Sequence, residues 1–428
     1  MSANSSGKLH FQDALYGSVG LGDELHALVR TPTLQRLRHV RLSNIDSIDM
    51  PSIANLSRLE HVIGVAHLAG EVGFRGGMEP YDFLALRAAA LLHDWAITSF
   101  GHLVEEALQY VGTRFDHEER LREIMTSAEP AEVGGVDMQI LVGRETGLRG
   151  WANKVVGRQR SEQLLSDIME SIRGRGPWGR VIAGDIDLDN VDNVFRMAYH
   201  LGLEVDRGVP IRIARAIVGI TPERGELVFK AEAESDIGAW RTARRDVYEH
   251  LMLAERDFIG KVMMLSAAVG AYEAGEFTQT DWSFVDHQFI TLLLGSGVRE
   301  VKETAERWIA GELWDCTPLR WMEGERPDYP ALRAFSHAVG SELGRTCFAY
   351  AIKDKRERRL AITFDDGSRR AYGADAHQWL LGIGSPRKEP FSSTQVEKAF
   401  NLASQTFGSR VLAPARRAGS QETQACLF

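Results

Sequence analysis

Apolar and polar positions recur with a helical period over most of this chain. Residues 83–94, FLALRAAALLHD, form an Ala/Leu-rich run long enough for a buried helix. Residues 56–70, LSRLEHVIGVAHLAG, place Leu59, Ile63, Ala66 and Gly70 along one stripe of an amphipathic helix. Residues 184–202, GDIDLDNVDNVFRMAYHLG, repeat the period with four acids near the start. Helical spacing dominates from about residue 20 to 128 and resumes over 236–275 and around 281–312. Between these, the Gly-rich stretch 129–155 reads as a looser lid or insertion, and 211–232 reads as a β-hairpin around Pro-Glu-Arg-Gly. The last hundred residues change character. CFAYAIKDKRERRLAITFDDG holds two apolar-alternating runs across a charged turn, and SSTQVEKAFNLASQTF opens with a Ser/Thr cap before a helical pattern. The predicted fold is mainly α, with a helical core over residues 9–324, a short β-hairpin, a small α+β module over 325–428 and a flexible N-terminus over 1–8.

Composition narrows the class. Hydrophobic residues make up 44% and charged residues 25%, as in an ordinary soluble globular protein. The net charge of -9 gives no general pull toward nucleic acid, although a local patch still can. Cys316, Cys347 and Cys426 are odd in number and widely spaced, which argues against a disulfide framework and for a reducing compartment. The opening MSANSSGK is polar, and no apolar run reaches the length of a membrane span. The expectation is a cytoplasmic protein without membrane contact.

The candidate chemistry centres on His93 and Asp94, which emerge together from the end of the apolar run. A buried charge there must be paired or must hold a metal, because leaving it isolated costs too much. Arg58 and His61 lie three apart and share a face of the upstream helix. One His, a His-Asp pair and an Asp from the acidic helix would supply four N/O ligands to a divalent ion, with Mg2+, Mn2+, Fe2+ and Zn2+ all compatible. Asp185, Asp187 and Asp189 compete for the last place, since acids ahead of a helix commonly cap it. Arg241, Arg244 and Arg245, and the basic turn Lys353 to Arg359, read more simply as solvated surface than as phosphate sites. His67, His200 and His250 read as structural or surface groups.

Taken in order, these segments resemble the HD-domain phosphohydrolases, and within them the deoxynucleotide triphosphohydrolases. YGSVGLGDELHALVRTPTLQRLRHVRLSN resembles the family's opening helix, threonine-proline and RLR run. SRLEHVIGVAHLAG is similar to its RFEHSLGVxxLAG helix, and LLHDWAITSFGHLVEEAL to its LLHDxGHxPFSHxFE segment. RFDHEERLREIM resembles its HE segment, DNVDNVFRMAYHLG its DxxDYxxRDxxxxG helix, and RRDVYEHLMLAERDFIGKVMM its VYxH helix. The matches keep their order from about residue 12 to 290. The resemblance implies metal ligands at His61, His93, Asp94 and Asp189. It implies catalytic histidines at His102 and His117, an acidic helper at Glu105, and a phosphate-contacting Arg58, with Tyr248 lining a nucleotide pocket.

Departures bear on the substrate. Ile97 stands where the family has a second active-site His. Asn190, Asn193 and Met197 replace its Lys, Tyr and Asp, and Leu42 replaces a Gln. Asn193 remains a substrate-binding candidate beside Arg58 and Tyr248. In the family these groups read the triphosphate and the sugar 3'-hydroxyl, so their loss weakens the expected sugar check. The reading carried forward is a metal-dependent nucleotide phosphohydrolase that releases triphosphate from a (deoxy)nucleoside triphosphate. The alternatives are an HD phosphatase or phosphodiesterase on another nucleotide, and a low-turnover nucleotide-sensing regulator. The resemblance also implies a homo-oligomer and a nucleotide effector.

Overall fold

The computed structural model describes residues 10–44, 48–126, 147–221, 224–374 and 377–415. The helices that build the site are α1 (Arg58–Ala69), α2 (Pro80–Leu92), α3 (Leu103–Tyr110), α4 (His117–Thr126), α5 (Leu188–His200), α6 (Glu234–Met252) and α7 (Glu255–Glu273). The protein is mainly α, with small sheets, as its periodicity predicts. Helix α1 packs on α2 and α5, α5 packs on α6, and α3 packs on α7. Local signals set the helix starts. Ser57 caps α1 by accepting from the Glu60 amide at 3.3 Å, and Asp187 caps α5 by accepting from the Asn190 amide at 2.7 Å. Pro80 begins α2, where its missing N–H costs nothing. The Ala/Leu run of α2 is buried from Ala88 to Leu92, which delivers His93 and Asp94 to the interior.

Strands β1 (His10–Asp13) and β2 (Gly17–Gly20) form a hairpin near the N-terminus. Strands β3 (Ile217–Ile220) and β4 (Leu227–Phe229) form the hairpin predicted over 211–232, but shorter. Its first half is instead the end of a helix, Val209–Ala216, started by Pro210 and buried through Ile213, Ala214 and Ala216. The loose stretch predicted over 129–155 falls largely outside the described residues. Its last part is a helix, Leu148–Val156, because Leu148, Trp151 and Ala152 fall at helical spacing and are buried together.

The C-terminal region departs further. Strands β5 (Asp315–Cys316), β6 (Arg320–Glu323), β7 (Phe348–Lys353), β10 (Gln378–Ser385) and β11 (Arg410–Pro414) make one sheet, in which β10 pairs with β5, β6 and β7. Strands β8 (Leu360–Phe364) and β9 (Arg369–Tyr372) extend the β3–β4 hairpin through a parallel β4–β8 pairing. The two runs read as flanking a charged turn therefore enter different sheets. Phe348 to Ile352 is buried on both faces, which an isolated hairpin cannot provide. The basic segment between β7 and β8 is a connection between sheets, not a hairpin tip. The first of these sheets draws strands from both sides of position 325. Among the described residues, no helix is long and apolar enough to cross a membrane.

Candidate active site

The structure brings His61, His93, Asp94 and Asp189 into one cluster. Donor atoms of His61, His93 and Asp189 all lie within 4.8 Å of one another. The His61 Nε2 is 3.0 Å from Asp189 Oδ1, and His93 Nε2 is 3.5 Å from the same oxygen. Asp94 Oδ2 stands 3.4 Å from His93 Nε2 and 3.9 Å from His61 Nε2. The acidic run sorts itself by position. Asp187 is the helix cap, Asp185 faces Arg358 at 3.4 Å, and Asp189 turns inward to the histidines.

Three of the four donors are oriented by a further contact. His93 Nδ1 donates to the Ala90 carbonyl at 2.9 Å, leaving Nε2 buried and without a hydrogen-bond partner. His61 Nδ1 is 2.7 Å from Asp192 Oδ1, which turns Nε2 toward the cluster. Arg58 Nη1 donates to Asp94 Oδ2 at 2.7 Å and Nη2 donates to the Leu42 carbonyl at 2.6 Å. Asp192 is held by the fully buried Arg196, whose guanidinium also meets Asp13 at 3.0 Å and Glu60 at 2.8 Å. Gly64 on α1 makes this approach possible, since a Cβ there would collide with the Asp192 carboxylate and the Arg196 guanidinium. Gly101, at φ 64°, sits in the loop after Asp94, where a Cβ would lie 3.0 Å from Arg58 Nη2.

These donors fit a divalent cation. Burial opposes charging His61 and His93, yet the carboxylates outweigh it and hold both imidazoles above their ordinary pKa; Asp189 and Asp192 act on His61, Asp94 and Asp189 on His93. Burial likewise opposes charge on Asp94, but Arg58 and His93 hold it well below the usual carboxylate range. A cation among the same atoms would satisfy the carboxylates in the proton's place and use the orphaned His93 Nε2. Two imidazoles and two carboxylates suit a borderline or hard divalent metal.

A second group lies on α3 and α4. Glu105 Oε2 accepts from His102 Nδ1 at 2.8 Å and from His117 Nδ1 at 3.1 Å, with the rings 5.0 Å apart. Burial would raise the Glu105 carboxyl, but the hydrogen bonds from His102 and His117 bring it down to about 2. Burial likewise lowers His117, and Glu105 more than offsets it, raising the imidazole above its ordinary value. His102 is 40% exposed and His117 14%, so His102 is the one that faces open space. Ile97 is fully buried in the apolar core and offers no polar side chain to the site.

A cavity of about 1020 Å3 is lined by Arg58, which donates to Asp94, by Asn190, which follows Asp189, and by His102, although the four donors themselves are not among its lining residues. Tyr248, Asn193, Met197 and Leu42 also line it. Asn193 Oδ1 is buried with no hydrogen-bond partner. The arginine turn on α6 is not uniformly solvated. Arg244 is 8% exposed, lines the cavity and donates to Asn190 Oδ1 at 2.7 Å, whereas Arg241 turns to Glu357 and Arg245 to Asp246. His67, His200 and His250 are absent from the lining. Among the described residues the lining holds seven Lys or Arg side chains against four Asp or Glu, in a chain whose net charge is -9. The cavity is thus electropositive in an acidic protein.

Sequence reasoning missed several of these groups. Asp192 was one acid among four, although its spacing of four from Arg196 was a readable pair. Glu106, Lys261 and Tyr350 meet in the cavity wall, with Lys261 Nζ 2.9 Å from Glu106 Oε2 and Tyr350 donating to the same oxygen at 3.0 Å. They come from α3, α7 and β7, and no local pattern links them.

No family model matches the chain. It is 21% identical over 374 residues to an uncharacterised protein of Methanocaldococcus jannaschii, covering 84% of this chain and 73% of that one. It is 26% identical over 219 residues to the deoxynucleoside triphosphate triphosphohydrolase SAMHD1 of Danio rerio, covering 45% of this chain and 34% of the relative. A SAMHD1 homologue of Dictyostelium discoideum is 26% identical over 216 residues, covering 47% and 38%. The match therefore spans little more than a third of either SAMHD1 relative. The fold is shared with the crystal structure of a phosphohydrolase from Bacteroides thetaiotaomicron, at TM-score 0.64 and 16% identity over 89% of this chain and 100% of that one. Over a little under half of its length the chain is thus related in sequence to deoxynucleoside triphosphate triphosphohydrolases, and it shares its fold with a phosphohydrolase.

Proposed function

We propose that the protein is a metal-dependent phosphohydrolase acting on nucleotides, most simply cleaving a (deoxy)nucleoside triphosphate to nucleoside and triphosphate. The observation that carries this reading is an electropositive cavity, in an acidic chain, that abuts a His-Asp donor cluster. His61, His93, Asp94 and Asp189 would hold the metal. A bound divalent ion supplies Lewis acidity and a water of lowered pKa.

The remaining work falls to the protein. Arg58 and Arg244 offer guanidinium groups to phosphoryl oxygens, and each keeps a buried Nε without a partner. His102 delivers a proton to the leaving oxygen from Nε2, because Glu105 holds its Nδ1. Glu105 also ties His117 to the same carboxylate and keeps that imidazole charged to higher pH. Tyr248 offers a ring to a nucleobase, with Arg244 stacked 4.7 Å from its centroid.

The test is product analysis. The purified protein is incubated with the eight common NTPs and dNTPs, singly and pooled, with Mg2+ or Mn2+, and nucleosides, nucleotides and phosphates are separated by chromatography. Nucleoside with intact triphosphate, absent in a His93→Ala/Asp94→Ala variant, is the expected result. Release of orthophosphate or pyrophosphate would move the protein to a different nucleotide phosphohydrolase. No turnover with metal bound would favour a nucleotide sensor.

A further inference from the structure

The cavity is chemically divided. Beside the donor cluster lie Arg58, His102, Asn190 and Arg244. One wall is apolar, made by Leu42, Val194, Met197, Val247 and Leu251 with the Tyr248 ring. A further stretch of the lining comes from the C-terminal sheet and includes Arg326, Lys353 and Lys355 with Tyr329.

Of the cations in this last stretch, Arg358 faces Asp185 at 3.4 Å, while Arg326, Lys353 and Lys355 have no carboxylate partner among the described residues. Two acids of the stretch are turned elsewhere, Asp354 to Arg356 at 2.8 Å and to Gln378 at 2.8 Å, and Glu357 toward Arg241 at 3.7 Å, which leaves Glu325 beside Arg326 in the lining. Lys353 and Lys355 make no ion pair among the described residues. Arg326 donates Nε to the Ala351 carbonyl at 2.9 Å and lies over the Tyr329 ring at 4.4 Å, again without a carboxylate. Burial pulls the nearby Lys261 below the ordinary lysine pKa despite Glu106, and the charges of Lys355 and Arg326 push it the same way. The charges of Lys355 and Arg326 thus both reach Lys261 in the wall of the same cavity. Such an arrangement is relieved by an anion.

We propose that Lys353, Lys355 and Arg326 form a second anion subsite, which takes a phosphate that the substrate carries apart from the one offered to the His-Asp cluster. The ligand is a nucleotide phosphorylated on both sides of its nucleoside, with the nucleoside against Tyr248 and the apolar wall. This rests on the nucleotide phosphohydrolase reading above and replaces the nucleoside triphosphate as its substrate. A nucleoside triphosphate bears charge at one end only and leaves the subsite empty. The same chemistry has two sources, a free nucleoside 3',5'-bisphosphate or the 5'-phosphorylated end of a nucleic acid strand.

The experiment measures binding, by calorimetry, to the full chain in chelator-containing buffer so that no turnover intervenes. The probes are thymidine 5'-monophosphate, thymidine 3',5'-bisphosphate and the 5'-phosphorylated thymidine dinucleotide. Two cations without partners should favour the bisphosphate over the monophosphate by about tenfold at low salt, less as salt rises. A Lys353→Gln/Lys355→Gln variant should reduce that preference to about twofold or less while leaving monophosphate affinity unchanged. Arg326→Gln should act in the same direction. Lys353 and Lys355 are exposed, so these variants should fold as the parent does. Equal affinity for the two mononucleotides, or a preference that survives the substitutions, would overturn the subsite and leave the nucleotide reading standing. Binding of neither mononucleotide by folded protein would overturn both. With the preference established, tighter binding of the dinucleotide than of the bisphosphate assigns the site to a strand end, and weaker binding assigns it to the free bisphosphate.

Discussion

The donor cluster and the apolar wall of the cavity lie on neighbouring faces of α5, yet they are built on opposite principles. At the cluster three of the four donors are fixed by a second polar contact: His61 by Asp192, His93 by Ala90, Asp94 by Arg58. On the wall, Leu42 and Met197 pack with Val247 and Leu251 in an apolar cluster separate from the main core. These two positions carry Gln and Asp in the deoxynucleotide triphosphohydrolase pattern. Here they have become apolar together and share one packing unit. Replacing both members of a polar arrangement costs little, whereas removing one member strands the other. The donor cluster is thus held by polar contacts, while the wall beside it is held by apolar packing alone.

The largest effects should come from breaking the cluster. His93→Ala or Asp94→Ala should abolish metal content by elemental analysis and lower hydrolysis by at least about a thousandfold. Unchanged metal and activity in Asp94→Ala would place the site elsewhere. Asp192→Asn tests the supporting contact. It leaves His61 without its orienting carboxylate and Arg196, fully buried, without one of its three carboxylate partners. Metal affinity should fall by about 10–100-fold. Stability in denaturant should fall by about 3–5 kcal/mol, the usual result of breaking a buried pair. Gly64→Ala should move both quantities the same way, because its methyl group would displace the same two side chains.

The contrast also explains what the sequence could reveal. Helical period and capping residues are local, so the mainly α fold and the burial of α2 could be read directly. The segments carrying His61, His93-Asp94 and Asp189 each kept a recognisable pattern, and the structure brings them together. Strand partners are not local. Phe348 to Ile352 and Leu360 to Phe364 have the alternation of a hairpin, but nothing in that alternation says that they join different sheets. For the same reason the basic segment between them looked like a solvated tip, when its Lys353, Lys355 and Arg358 line the cavity. Arg244 was likewise indistinguishable from Arg241 and Arg245 by composition. Only the rotation of α6 turns it inward to Asn190.

Glu105, which accepts from both His102 and His117, is probed by acid. Its carboxyl is near 2 when folded, against an ordinary value of 4.5. A depressed carboxylate contributes stability that is present above the unfolded value and is lost as pH falls through the folded one. The contribution is about 3 kcal/mol, disappearing between roughly pH 4.5 and 2. Denaturant titrations at pH 6 and pH 3 should show Glu105→Gln losing less stability on acidification than the parent. An unchanged pH dependence would mean that Glu105 does not hold the two histidines through its charge.

The smallest effect, and the most direct test of coordinated replacement, is to restore the polar pair. Leu42→Gln and Met197→Asp each place a polar group in an apolar cluster, at about 1–3 kcal/mol apiece. If the positions act as a unit, the double variant should cost less than the sum of the singles, because each new polar group supplies a partner for the other. The double variant should also gain a few-fold preference for a deoxynucleotide over its 3'-deoxy analogue, since a site that hydrogen-bonds a hydroxyl rejects the ligand lacking it. Additive costs with no change in sugar preference would show that the two substitutions are independent, and that the apolar wall packs the fold without selecting the substrate.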